Sequence, residues 1–223
     1  MLKKTVRILC VFLITFSIFA ISCKPENPLY SAVSELRSNL YSGNSENYKL
    51  EACYGFKETP YSNDTKVCEK VYALIFRLFD KETDGAAYSI AIIHDGKNYS
   101  ADFKLNPVTH TVTARIEIEN FNEKQFIATL KKAQENEQIT FKSIVPEKTM
   151  NYRAALDCLS KEQTALIERY TDENGNFNAE IHARIVVKND HPYWYIGIVG
   201  SDSLKALLID GIEGKTLAMR EIF

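Results

Sequence analysis

The sequence has none of the short motifs on which common enzyme sites are built. It contains no GxGxxG, no Walker loop, no GxSxG and no CxxC, which argues against nucleotide, hydrolase and thiol redox sites. Its four histidines never fall at HxH or HxxxH spacing, which argues against a compact metal site. We therefore expect no catalytic residue, no metal ligand and no cofactor. The histidines are His94, His110, His182 and His191.

A basic stripe is also absent. The formal net charge is −2, and acidic and basic residues are interspersed along the chain. Proteins that bind nucleic acid usually cluster their lysines and arginines to neutralise phosphates. We therefore expect no nucleic-acid partner.

What the chain does have is a distinctive first segment. Three basic residues, Lys3, Lys4 and Arg7, precede an apolar run over 8–21 that is too short for an ordinary membrane-spanning helix. This order is typical of a secretory signal peptide. A permanent transmembrane anchor is the weaker interpretation, because Pro25 soon follows the run.

The end of that run, Ala20-Ile21-Ser22-Cys23, resembles the lipobox of bacterial lipoproteins. The resemblance implies that residues 1–22 are removed as a signal peptide and that Cys23 becomes the lipidated N-terminal residue. The mature chain would have roughly 200 residues. A plain secreted protein with an incidental cysteine is the alternative. We expect a protein held at the cell membrane by a lipid, on the extracytoplasmic side.

Cysteine is scarce after Cys23. The three that remain are an odd number, which permits at most one intramolecular bridge in an oxidising compartment. Cys53 and Cys68 fall on two predicted strands that flank one loop, so they form the favoured possible disulfide. Cys158 lies in a helical pattern, where a buried, inert thiol is the usual explanation.

The first segment after the lipidated cysteine has helical spacing. Leu29, Val33, Leu36 and Leu40 recur every three to four residues after Pro28, which suits the first turn of a helix. We predict an amphipathic helix over 28–41. The region 23–46 therefore comprises the lipidated cysteine, a linker and this helix.

From residue 47 to 146 the pattern changes to alternation of apolar and polar residues, with turn signals at hairpin spacing. The Asp95-Gly96 pair between two alternating runs is the strongest hairpin signal. Consecutive antiparallel strands of this kind predict a β-sandwich-like domain. The predicted strands are Asn47 to Phe56, Val67 to Lys81, Ala87 to His94, Asn98 to Leu105 and Thr111 to Glu119.

The segment from Asn122 to Val145 is ambiguous. Asn122 and Gln125 suit the cap of a helix over the first part, up to about residue 137. Alternatively, 126–133 and 138–145 form one more hairpin. We favour the hairpin because it continues the succession of antiparallel strands.

The region 147–223 begins with helical spacing from Tyr152 to Tyr170 and continues with four short alternating segments. This order predicts one helix packed on a small antiparallel sheet. The fold class is therefore α+β and β-rich, with an N-terminal helix, a sandwich-like middle and this C-terminal unit. The predicted strands are Ala179 to Lys188, Tyr193 to Val199, Leu204 to Asp210 and Thr216 to Glu221.

The stretch from Trp194 to Ile198, and then Ala206 to Leu217 with its Asp210-Gly211 turn, resembles the end of a PepSY-type domain. The order of a helix followed by strands is also similar. Glu213 stands where that family more often has Thr. The resemblance covers about a third of the mature chain and implies an extracytoplasmic binding or inhibitory module.

Alternation places His182, Arg184, Tyr193 and Tyr195 on the sheet face that points away from the predicted helix. Amphipathic aromatics with a cation are enriched in recognition surfaces, so these residues form the candidate binding face. The favoured function is a lipid-anchored protein that binds or inhibits an extracytoplasmic protein or peptide. The alternative is an extracytoplasmic enzyme with a dispersed His, Asp and Glu site that includes His94, His110 or His182.

Overall fold

The computed structural model describes residues 26–59, 68–79, 87–107, 109–201 and 203–222, of which 59% are in strands and 11% in helices. The strands are β1 (Val33–Asn44), β2 (Lys49–Glu58), β3 (Lys70–Phe79), β4 (Tyr88–His94), β5 (Lys97–Asp102), β6 (Lys104–Asn106), β7 (Thr111–Glu117), β8 (Gln125–Lys132), β9 (Glu135–Ser143), β10 (Glu180–Lys188), β11 (His191–Val199), β12 (Leu204–Asp210) and β13 (Thr216–Ile222). The helices are α1 (Tyr152–Glu162) and α2 (Thr164–Glu168).

One curved sheet contains all thirteen of these strands. Its main path runs β6-β7-β3-β2-β1-β10-β11-β12-β13, and a branch β5-β4-β8-β9 joins the path at β1. The pairings are antiparallel except that of β1 with β10. Because β5 also approaches β7, the part built from β1 to β9 is nearly closed and barrel-like.

The predicted fold class is therefore wrong in two respects. The chain is mostly β rather than α+β, and its strands do not form a sandwich of two separate sheets. The reason lies in β1, whose second edge pairs first with β10 at Val33 to Arg37 and then with β9 at Tyr41 to Gly43. The predicted boundary at residue 147 falls between β9 and α1. The sheet is nevertheless continuous between the two parts, because β1 pairs with both β9 and β10.

The predicted helix over 28–41 is also wrong, because only Pro28–Tyr30 form a short 3₁₀ turn and β1 follows. Two irregularities interrupt β1, one between Val33 and Glu35 and one between Arg37 and Asn39. Each shifts the alternation of faces, so Val33, Leu36 and Tyr41 are all buried. Buried residues spaced by three or more along a bulged strand imitate helical periodicity.

The strands of the middle region are confirmed, but only some of them pair consecutively. Strands β2 and β3, β4 and β5, and β6 and β7 form hairpins, whereas β3 also pairs with β7 and β4 with β8. The ends of strands β2 to β7 fall within two or three residues of the predicted ends. The exception is the predicted strand from Asn98 to Leu105, which is divided into β5 and β6. Asp95 and Gly96 form the turn between β4 and β5 with φ of 48° and 73°, which matches a type I′ turn. The ambiguous segment is the hairpin of β8 and β9, not a helix.

Two clusters of buried side chains pack against one face of the sheet. The first fills the barrel-like part and includes Leu50, Phe76 and Phe141, none of which has any exposed surface. The second lies between the helices and β10 to β12 and contains Trp194, which is 1% exposed. Strand β2 contributes to both clusters, since Leu50 belongs to the first and Phe56 to the second.

Asn151 caps the N-terminus of helix α1, because its Oδ1 accepts a hydrogen bond from the Ala154 N–H at 2.9 Å. It buries Leu156 and Leu159 on the sheet. The predicted helix to Tyr170 is interrupted at Gln163, whose φ of −119° and ψ of 38° are not helical.

No helix within the described ranges is both long enough and apolar enough to cross a bilayer.

The first described residues lie beside α1. Arg153 donates a hydrogen bond to Glu26 at 3.0 Å, and the Asn27 amide donates to Asp157 at the same distance. The Tyr30 hydroxyl also donates to Asp157, at 2.7 Å. Burial and this hydrogen bond raise the pKa of Tyr30 to about 12. These contacts fix the place where the chain enters the fold.

Candidate binding site

The four residues of the candidate binding face are neighbours in the structure. Alternate residues of β10 and β11 are buried under the helices, and the residues between them lie on the opposite side of the sheet. In the ladder of β10 and β11, Arg184 is opposite Tyr195. His182 lies two residues before Arg184 on β10, and Tyr193 lies two residues before Tyr195 on β11. We call this side of β10, β11 and β1 the outer face.

Strand β1 adds Glu35 and Arg37 to the outer face. It runs parallel to β10, with Glu35 opposite His182 and Arg37 opposite Arg184. Glu35 Oε1 accepts a hydrogen bond from Arg37 Nε at 2.9 Å and lies 3.0 Å from Arg184 Nη2. The Glu35 side chain is only 4% exposed, whereas those of Arg37 and Arg184 are 36% and 41% exposed. Two guanidinium groups thus share one buried carboxylate.

This cluster keeps Glu35 ionised and leaves positive charge in excess. Burial by itself raises the pKa of Glu35, but Arg37, Arg184 and His182 outweigh burial and hold the pKa below its ordinary value of 4.5. One negative charge cannot neutralise two guanidinium groups. Arg184 Nε is buried and has no hydrogen-bond partner among the described residues. The cluster therefore has positive charge to offer a ligand.

A groove of about 240 Å³ opens beside Glu35, over β1, β2 and β3. Three cationic residues, Arg37, Lys57 and Arg115, and the carboxylate of Glu35 line it. Uncharged residues form the rest of the lining, among them Cys53, Phe56, Val71, Ala73 and Ile75. We call this cavity the Glu35 groove.

Gly55 allows β1 to form one wall of the Glu35 groove. A Cβ atom at residue 55 would lie 1.8 Å from the carbonyl oxygen of Leu36 and 2.9 Å from the Cα of Arg37. Only glycine lets two backbones approach this closely. The irregularity of β1 after Arg37 and the glycine in β2 therefore act together to place Arg37 at the groove.

The possible disulfide between Cys53 and Cys68 does not form, and both residues are free thiols. Cys53 lies opposite Ile75 in the ladder of β2 and β3, and Cys68 lies seven residues before Ile75. This register separates the two thiols by roughly 24 Å along the strand, far beyond the reach of a disulfide. Burial raises the pKa of the Cys53 thiol, although the neighbouring arginines oppose it, so Cys53 stays protonated.

A second polar cluster closes the other end of the outer face. His191 Nε2 lies 2.8 Å from Asp210 Oδ2, and the His191 ring is 4.8 Å from that of Tyr193. Asp210 Oδ1 accepts hydrogen bonds from the N–H groups of Ile212 and Glu213, both at 2.8 Å. Burial by itself raises the pKa of Asp210, but these hydrogen bonds hold it below its ordinary value. The turn after β12 is thereby fixed beside Tyr193.

The histidines of the alternative enzyme site do not converge. His94 lines a cavity of about 790 Å³ beside β4, β8 and β9, His182 lines a different one, and His110 is exposed before β7. The His94 ring lies 5.1 Å from that of Phe121, and its Nε2 is buried without a hydrogen-bond partner in the described ranges. In the part of the chain that the structure describes, no group of three or more His, Cys, Asp or Glu side chains could hold a metal ion.

Sequence reasoning missed Glu35 and Arg37 because it assigned them to a helix. In a helix, residues i and i+2 point in different directions, whereas in a strand they share a face. The charged pair on either side of Leu36 was the available signal. It becomes meaningful only once the segment is recognised as a strand.

Cys23, the predicted lipidation site, lies outside the described residues. Comparison of the chain with protein-family models, curated proteins and solved structures found no match.

Proposed function

We propose that this chain is a lipid-anchored, extracytoplasmic protein that binds or inhibits another protein or peptide and has no catalytic activity. The outer face carries the proposal, because it combines Tyr193 and Tyr195 with two partly exposed arginines held by Glu35. Tyrosine and arginine are the residue types most enriched where proteins bind one another. The lipobox-like Ala20-Ile21-Ser22-Cys23 supports the anchor.

We also propose that the C-terminal region is a PepSY-like module. Helices α1 and α2 followed by four consecutive antiparallel strands support this, as does the tight turn from Asp210 to Gly214. The proposed module contributes a binding surface and no catalytic residue.

The anchor is tested by replacing Cys23 with Ser. A serine cannot accept the thioether-linked lipid, so we expect the variant to leave the membrane fraction or to accumulate as an uncleaved precursor. Fractionation and labelling with radioactive palmitate measure this. Cys68→Ser is the matched control and should behave as the wild type. A Cys23→Ser variant that fractionates and labels like the wild type would contradict the proposed lipoprotein.

Binding is tested by photo-crosslinking in native membranes. Val186 lies on the outer face opposite Tyr193 and is 43% exposed, so a photoreactive residue there reports on a partner at the face. We expect a discrete adduct that disappears when Tyr193 and Tyr195 are both replaced with Ser. Ile93→Ser, on the distant strand β4, is the control and should retain the adduct.

The circular dichroism spectrum shows whether the double variant is folded. A folded Tyr193→Ser, Tyr195→Ser protein that gives the same adduct as the wild type would overturn the proposed role of the outer face.

A further inference from the structure

We infer that the Glu35 groove binds an oxyanion, namely a carboxylate or phosphate group carried on a short apolar stem. The inference rests on the proposed binding function and names the chemistry that the outer face recognises. Such a group belongs either to a free organic acid or to an acidic side chain of a polypeptide.

The balance of charge favours an anion. Arg37, Lys57 and Arg115 line the groove against the single carboxylate of Glu35. The same oxygen of that carboxylate that accepts from Arg37 also contacts Arg184. Arg115 has its own contact with Glu117, but at 3.6 Å and with 45% of its side chain exposed. A second negative charge in the groove would therefore meet cations that the protein itself leaves incompletely neutralised.

The shape of the groove limits the ligand to a small group. A volume of about 240 Å³ admits a carboxylate or phosphate with a few carbon atoms, but not a large ring system. Val71, Ala73 and Ile75 line it without offering side-chain polar partners. An oxyanion with a short hydrocarbon stem satisfies the cationic and apolar parts of this lining together.

The carboxylate of Glu35 competes with an incoming anion for the guanidinium group of Arg37. Its Oε1 takes the hydrogen bond of Arg37 Nε, the residue at the groove wall that an incoming oxyanion would also engage. Removing the charge of Glu35 while keeping its shape should therefore free Arg37 and strengthen anion binding. A merely structural ion cluster makes no such prediction.

The test is isothermal titration of the full-length protein in detergent with glutarate, inorganic phosphate and a triglutamate peptide. For the anion that binds, we expect Arg37→Gln to weaken affinity about tenfold or more, because a charge-assisted hydrogen bond is lost. We expect Glu35→Gln to strengthen affinity by about tenfold, the effect of removing a nearby like charge. Arg220→Gln is the control and should leave affinity unchanged, since Arg220 lies on β13, three strands beyond β10.

The three probes separate the possible sources of the oxyanion. Preference for glutarate identifies a free organic acid, and preference for the peptide identifies an acidic side chain. Preference for phosphate supports the anion site but overturns the requirement for an apolar stem. Trp194 fluorescence and circular dichroism confirm that each variant is folded.

The inference is overturned if the wild type binds none of the probes at millimolar concentration, if folded Arg37→Gln binds as the wild type does, or if folded Glu35→Gln binds more weakly. These outcomes are distinct from failure of the proposed function. If the photo-adduct at Val186 persists in Arg37→Gln but disappears in the double tyrosine variant, the binding face stands and the anion site falls. If anion binding is intact but no adduct forms, the anion site stands and the proposed protein-binding face falls.

Discussion

Glu35 is a buried carboxylate that two arginines keep charged, and this links the stability of the protein to pH. Because its pKa in the folded state lies below the ordinary value of 4.5, Glu35 stabilises the fold above that pH. The contribution is lost as the pH falls through the lowered folded pKa. We expect the stability difference between the wild type and Glu35→Gln to shrink on acidification. Urea unfolding near neutral pH and at about pH 3 measures this difference, and a pH-independent difference would contradict the assignment.

Gly55 is the residue whose replacement should damage the site most directly. Alanine there places a Cβ atom against the backbone of β1, and we expect Gly55→Ala to cost about 3 kcal/mol in the free energy of unfolding. Gly197→Ala is the control, because its Cβ would meet no atom closer than 3.5 Å. Urea denaturation of the two variants provides the comparison. Equal stabilities would show that β1 can move away from β2 without loss.

At the level of elements, α1 depends on its capping residue. Asn151→Ala removes the acceptor for the Ala154 N–H, and we expect a loss of about 1 kcal/mol. Asn151→Asp keeps an acceptor at the same position and adds a favourable charge at the helix N-terminus, so it should be neutral or stabilising. Thermal unfolding followed by circular dichroism distinguishes the two. Equal losses in both variants would mean that the cap contributes nothing.

The elements that sequence could predict are those specified by local patterns. The turn at Asp95 and Gly96 needs two residues with positive φ, and its neighbours alternate cleanly, so the hairpin is visible in the sequence. Strand β1 is different, because its irregularity between Val33 and Glu35 occurs where it pairs with β10, which is distant in sequence. No local pattern records that partner. The segment 28–41 was therefore predicted as a helix from its local spacing alone.

The same distinction holds for the candidate site. The neighbourhood of Arg184, Tyr193 and Tyr195 follows from alternation within one hairpin, and it was predicted. The contact of Arg184 with Glu35 depends on the parallel pairing of β1 with β10, which joins segments almost 150 residues apart. The middle region was predicted wrongly as a sandwich for a similar reason, since the pairing of β1 with β9, about 100 residues later in the chain, makes this region one nearly closed sheet.

For the whole molecule, the continuous sheet predicts that both clusters of buried residues unfold together. Trp194 is the single tryptophan of the chain and lies in the second cluster. Phe141 belongs to the first, and we expect Phe141→Ala to cost about 3 to 5 kcal/mol. Because β1 and β2 serve both clusters, the unfolding midpoint reported by Trp194 fluorescence should fall by the same amount as that reported by circular dichroism.

Ile93→Ala provides the control for this experiment, because the Ile93 side chain is 77% exposed and should not shift either midpoint. Independent unfolding of the two parts would appear as a Trp194 midpoint that Phe141→Ala leaves unchanged.

The contacts of Glu26 and Asn27 with α1 have a consequence for how the proposed lipoprotein stands on its bilayer. Only Lys24 and Pro25 separate Cys23 from Glu26 in the sequence, so the chain between the proposed lipidation site and Glu26 can span at most about 11 Å. The outer face occupies the reverse of the same sheet. A tether this short would turn the helices toward the lipid headgroups and Tyr193, Tyr195 and Arg184 toward the surrounding compartment. Partners would then arrive from solution rather than from within the membrane plane.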